Sequence, residues 1–218
     1  MQLPPTDVSY TLVVRYGRYV SRRLRREKLT ELGSACDTAT TLVRDHGRAL
    51  EDADAPVQEA LADRDGADDD LDDIAKAARH KLAGRSLEAA KQAPYTLIFA
   101  EGIGYFTEAA TGDEVPRYTE LESRLTAHLP ASDAVRRDAL PKIADGITVY
   151  RSAEVALSRA QSVEKAASAR LEATKTAWRT AMERTYGALI QQFGKAGAER
   201  FFPKARTAKA KRAKQPVG

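Results

Sequence analysis

Apolar residues recur at three- and four-residue steps along two long stretches of this chain, and that spacing predicts helix. In the second half, Ile143, Ile147, Tyr150, Leu157, Ala160, Val163, Ala167, Leu171, Trp178, Met182, Leu189 and Phe193 make one stripe. Such a stripe belongs to a helix that packs along its whole length, with a spacing close to a coiled-coil seam. No proline interrupts it between Pro141 and Pro203. Pro141 suits a first helical turn, where its missing N–H costs nothing. Ser132-Asp133 supplies a start signal, and Gly194, Gly197 and Pro203 mark the far end. Residues 132–200 are therefore read as one helical arm.

A weaker stripe occupies residues 29–84, through Leu29, Leu32, Cys36, Leu42, Val43, Leu50, Ala53, Val57, Leu61, Leu71, Ile74, Ala78 and Leu82. Ala55-Pro56 interrupts it by removing a backbone donor, Asp65-Gly66 reads as a break and restart, and Gly33 is a third soft point. The expectation is two helices, or one kinked helix. Shifting this arm by 107 residues superposes Cys36 on Ile143, Val43 on Tyr150, Leu50 on Leu157, Leu71 on Trp178 and Leu82 on Leu189. An ancient duplication produces such a match. So does the chance alignment of two Ala/Leu-rich amphipathic helices.

Ahead of the first arm, residues 6–28 carry Val8, Leu12, Tyr16, Val20 and Leu24 on one helical stripe and Arg15, Arg18, Arg22 and Arg25 on another. The segment Ser9 to Val14 also has the β-branched and aromatic character of an edge strand, but the arginine periodicity selects helix. Between the arms, residues 85–131 read as a compact connector cap. Pro94 to Phe99 is the most β-prone run and admits a hairpin. Thr119 and Glu122 have capping-box spacing ahead of Leu125 and Leu129.

The expected fold is all-α: a long antiparallel helical hairpin, or elongated helical bundle, spanning residues 1–203, with a basic C-terminal tail at 204–218 that cannot bury a core and is expected to be disordered. Composition agrees. Hydrophobic residues make up 43% and are mostly alanine and leucine, while aromatics are 6%, so stability must come from long seams rather than a thick core. The single cysteine, Cys36, rules out an intramolecular disulfide and fits a reducing, cytoplasmic setting. No apolar run approaches the roughly 20 residues that span a bilayer.

Charge adds a second layer. The net charge is +4, but residues 1–30 carry +5, residues 31–90 carry −8, and the last eighteen carry +6. The tail presents Lys204, Arg206, Lys209, Lys211, Arg212 and Lys214 among alanines, with no acid. In composition it is similar to the basic tails of nucleoid-binding and linker-histone-like proteins, which implies phosphate binding through counterion release; a terminus that only solubilises the chain has the same composition. Together with Arg15, Arg18, Arg22 and Arg25 it makes up the candidate surface for nucleic acid or a partner. Phe201 and Phe202 read either as a helix-ending staple or as a docking anchor for another chain.

Candidate chemistry is sparse. The run Asp63, Asp65, Asp68, Asp69, Asp70, Asp72 and Asp73 misses the calcium-loop spacing, and Asp65 reads better as the cap of a new helix. Glu101-Gly102-Ile103-Gly104 lacks the third glycine of a nucleotide loop and reads as a turn. His46, His80 and His128 are too dispersed for a zinc motif. Neither a catalytic residue, a metal nor a cofactor is expected. The leading expectation is a non-enzymatic scaffold or assembly protein that joins a protein partner or itself through helical seams. The alternative is a nucleic-acid-binding protein using both basic termini.

Overall fold

The computed structural model describes residues 1–110 and 112–204. Among them the fold is all-α, without a strand. Six helices follow in order: α1 (Tyr10–Arg26), α2 (Thr30–Ala83), α3 (Tyr95–Ile98), α4 (Gly104–Thr107), α5 (Glu114–His128) and α6 (Ala134–Glu199). The described residues form two compact units, residues 1–54 with 163–204, and residues 55–162. Each unit takes one half of α2 and one half of α6 and adds a shorter helix to them.

In unit 1 the added helix is α1. Its apolar face, Val13, Val20 and Leu24, packs with Cys36 and Val43 of α2 and with Leu171, Trp178, Met182 and Leu189 of α6. Side-chain pairs across α2 and α6 give the direction: Cys36 meets Thr185, Thr40 meets Trp178, and His46 meets Thr174. One number rises as the other falls, so the helices run antiparallel. The α1–α2 turn is tight. Lys28 adopts a left-handed conformation with φ 62°, its N–H bonds the Arg25 carbonyl, and the Leu29 N–H bonds the Leu24 carbonyl. That is a Schellman closure with lysine at the position usually held by glycine.

In unit 2 the added helix is α5. Tyr118, Leu121, Leu125 and Leu129 pack with Leu71, Ala75, Ala78 and Leu82 of α2 and with Ala139, Ile143, Ile147 and Tyr150 of α6. Lys81–Asp138 and Arg85–Asp133 pairs show the same antiparallel register. The short helices α3 and α4 close this core with Phe99 and Phe106, whose rings meet edge to face at 5.8 Å. Both units thus share one plan, a short helix on an antiparallel pair. Positions related by the 107-residue shift are mostly buried in both: Cys36 and Ile143, Val43 and Tyr150, Leu71 and Trp178, Leu82 and Leu189.

Several sequence expectations are corrected. Helix α2 runs unbroken through Pro56 and Gly66. Pro56 is exposed, so the carbonyl that loses its donor can turn to water. Asp65 therefore caps nothing. Pro141 lies inside α6 rather than in its first turn. The first turn is held instead by Asp133, whose Oδ1 accepts the Val135 N–H at 2.8 Å. The β-prone run at 94–99 is a single helical turn, α3, and no hairpin forms. The Thr119–Glu122 capping box is not used: α5 starts at Glu114, and the Thr119 hydroxyl donates to the Val115 carbonyl. At the far end, Gly194 leaves helical geometry with φ 66° and ψ 172°, and the chain then turns Phe201 and Phe202 inward.

Candidate functional site

The arginines of α1 follow from its amphipathic pattern. Val13, Val20 and Leu24 face the core, so Arg15, Arg18, Arg22 and Arg26 come out together on the exposed side, with Tyr19 among them at 44% exposure. Among the described residues none of these four pairs with a carboxylate. Arg25 departs from the predicted stripe. Its stem runs past Gly33, where a Cβ would approach its Cγ to 3.0 Å, and its guanidinium bonds Asp37 at 2.5 Å. It is spent on tying α1 to α2, and Arg26 takes its place on the open face.

Lys204 lies in the same unit, beside Met1, Gln2 and Glu199, and the amino terminus sits 3.7 Å from Glu199. Arg206, Lys209, Lys211, Arg212 and Lys214 lie outside the described residues. Phe201 and Phe202 are buried, at 3% and 2% exposure, and Phe202 meets the Tyr186 ring at 5.5 Å. They act as a staple on their own unit. The docking-anchor reading is set aside, because neither ring is available to another chain.

The acidic run of α2 divides by helix face. Asp63, Asp65, Asp69, Asp70 and Asp73 are exposed. Asp68 and Asp72, one turn apart, face α5. Asp72 accepts the Tyr118 hydroxyl at 2.7 Å and the Lys76 ammonium at 3.0 Å. Glu114, at the start of α5, is 5% exposed and faces Asp68. One oxygen of each, Asp68 Oδ1 and Glu114 Oε2, lacks a hydrogen-bond donor. Burial, and then the nearby Asp68 charge, pushes the Glu114 carboxyl up to about 7. Burial raises Asp68 as well. Two carboxyl groups in such contact are satisfied by sharing one proton. Among the described residues no cluster of His, Cys, Asp or Glu has the arrangement to hold a metal ion. The Asp68–Asp72 spacing is visible in the sequence, on the face that carries Leu71 and Ala75. Nothing local marks Glu114 as their partner.

On unit 2, α2 and α6 also frame a groove of about 500 Å³. Its floor is apolar, with Ile74 and Ala77 from α2 and Ala139 and Val149 from α6. Val149 is 56% exposed. The two helices approach closely beneath it, since a Cβ on Gly146 would lie 2.7 Å from Leu71 Cδ2. Charged residues rim the groove: Asp70, Asp73 and Lys81 on α2, and Asp138, Lys142 and Asp145 at one-turn steps on α6. The ammoniums of Lys142 and Lys81 both bond Asp138, at 2.7 and 2.5 Å, and hold its carboxyl down to about 2. No single feature of the sequence signals this groove, because it exists only once the two arms are paired.

His46 Nδ1 lies 2.7 Å from the Thr174 hydroxyl, while His80 and His128 are exposed and far from one another in the chain. Cys36 is buried, and its thiol is raised by that burial. No described helix is long and apolar enough to cross a membrane. No family model, curated protein or solved structure matches this chain.

Proposed function

We propose that this protein is a non-catalytic, cytoplasmic helical scaffold that receives a helical partner on the α2–α6 face of unit 2. The observation that carries the reading is the open groove with an apolar floor and a charged rim. An antiparallel helix pair with one face covered by α5 and another left apolar offers the seat that a further helix fills in a bundle. Half-exposed Val149 and the exposed Ala77 would gain by being covered. The test uses Ala77→Glu, which adds a charge at an exposed position of the floor. Proteins captured from native lysate by the wild-type chain should be lost with the variant. Identical capture by both baits sinks the reading.

A second reading is favoured by the α1 surface. Four exposed guanidiniums on one rigid face, with Tyr19 among them, are suited to phosphate contacts on nucleic acid, to which the basic tail would add charge. Such binding would be weak in sequence preference, since phosphate contacts position a protein without reading bases.

A further inference from the structure

Tyr19 stands in the middle of the α1 arginine face. Arg15 lies one helical turn before it, Arg22 and Arg23 one turn after it and Arg26 two turns after it, with Arg18 alongside. These six residues line an open depression of about 710 Å³. The Tyr19 ring is 44% exposed, and among the described residues neither another ring nor a guanidinium stacks on it. The helix beneath is held in place: Tyr16 meets Trp178 edge to face at 5.8 Å, and Arg25 ties α1 to Asp37 of α2. A fixed cationic face thus carries one open aromatic ring, with positive charge one turn away on either side.

We propose that this face binds single-stranded nucleic acid, with Tyr19 stacking on an unpaired base while the arginines around it hold the flanking phosphates. It rests on the phosphate-binding reading of α1 and names the kind of strand bound. Guanidiniums alone suit any polyphosphate. An aromatic ring among them adds affinity only where a base face is free. In a duplex each base is already stacked on its neighbours, and one ring on the outside of a helix has no means to part them. In a single strand that face is open, and every base has one, so stacking adds affinity without reading sequence. An anionic membrane would meet the same charge, but it gains firm hold from an apolar stripe sunk into the interface. The apolar stripe of α1, Val13, Val20 and Leu24, is turned instead into the core of unit 1.

The experiment is fluorescence anisotropy of the full chain with a labelled mixed-sequence deoxyoligonucleotide of about 16 nucleotides, long enough for a small single-strand site, and with the same strand paired to its complement. The variants are Tyr19→Ala, Tyr19→Leu and Tyr19→Phe, at an exposed position where the fold does not need the ring. Alanine and leucine should weaken binding to the single strand by about fivefold to a hundredfold, the range for one lost stacked base, while phenylalanine keeps it within about twofold. Binding to the duplex should change by less than about twofold in all three, since its bases stay stacked on one another. The salt slope of each variant should equal that of wild type, because no phosphate contact is lost. A Tyr19→Ala protein that binds the single strand as tightly as wild type overturns the proposal, and so does an equal loss on both probes. If changing Arg15, Arg18 and Arg22 to glutamine still weakens binding in that case, the phosphate-binding reading stands without the stacked base. A wild type that binds neither probe at low salt removes both, and one that then sediments with phosphatidylserine–phosphatidylcholine vesicles puts a membrane on this face instead.

Discussion

Gly17 of α1 lies against Thr40 of α2 so closely that a Cβ on Gly17 would sit 2.1 Å from Thr40 Oγ1. That hydroxyl donates to the Cys36 carbonyl at 2.7 Å and accepts the Trp178 indole N–H at 3.2 Å. One small residue on α1 therefore allows one hydroxyl on α2 to satisfy the buried indole of α6. Tyr16 completes the contact, meeting the Trp178 ring edge to face at 5.8 Å. Gly47 plays the matching part against Tyr10, whose ring would lie 2.3 Å from an added Cβ.

Gly17→Ala should accordingly destabilise the protein, even though alanine is the better helix former. Overpacking of this kind costs about 1–3 kcal/mol. Thr40→Ala alone should also destabilise, by about 1–3 kcal/mol, because it strands the Trp178 N–H. The double variant should cost less than the sum of the two, since alanine at 40 removes Oγ1 and Cγ2 and leaves the added Cβ only the milder approach to the residue 40 Cβ at 3.0 Å. Urea unfolding of the four proteins measures the coupling, and strict additivity would contradict the contact.

Gly66 has no such constraint. It lies inside α2, is exposed, and an added Cβ meets nothing within 4 Å. Gly66→Ala should raise stability by about 0.5–1 kcal/mol, the helix-propensity difference between the two residues. Were Asp65-Gly66 a break with a left-handed turn, the same change would destabilise. Thermal melting followed at 222 nm distinguishes these outcomes.

The Asp68–Glu114 pair makes stability fall as pH rises through neutrality. Glu114 titrates in the folded chain at about 7, above its ordinary 4.5, so the folded state holds a proton that the unfolded chain releases. The contribution is fully present below about pH 4.5 and is lost as pH rises through about 7. Carboxylates held low by ion pairs or hydroxyl donors, among them Glu101, Glu120, Asp133 and Asp138, act only under more acid conditions and with the opposite sign. Between pH 5 and pH 8 wild type should lose roughly 1–3 kcal/mol relative to Glu114→Gln, whose amide cannot ionise. Parallel pH profiles for the two proteins would show that no proton is shared there.

Nucleic-acid binding, where it occurs, should depend on the α1 face. Replacing Arg15, Arg18 and Arg22 with glutamine should weaken binding to double-stranded DNA of any sequence. It should also reduce the slope of log affinity against log salt by about 0.9 for each phosphate contact removed. Arg25→Gln should leave the slope unchanged and instead lower stability slightly, because Arg25 is engaged with Asp37. Fluorescence anisotropy at several salt concentrations measures both. Undetectable binding at low salt eliminates this reading.

Hydrophobic periodicity alone determined the all-α class, the two long arms and the basic face of α1, because helical spacing is a local property carried by residues three and four apart. Trp178, Met182 and Leu189 stand out as core from that spacing, and they are buried. Local signals failed where tertiary packing outweighed them. Pro56 and Gly66 read as breaks, yet α2 continues, since its flanking turns are held by Val57, Ala60 and Ala67 against the rest of unit 2. The β-prone run at 94–99 became a helical turn because Ile98 and Phe99 are placed by the core they close. The groove, the Asp68–Glu114 contact and the diversion of Arg25 to Asp37 join residues from different helices. Which faces of two amphipathic helices meet, and what they leave uncovered, is decided by the fit of side chains such as Gly17 to Thr40 and Gly146 to Leu71, and that fit exists only in three dimensions.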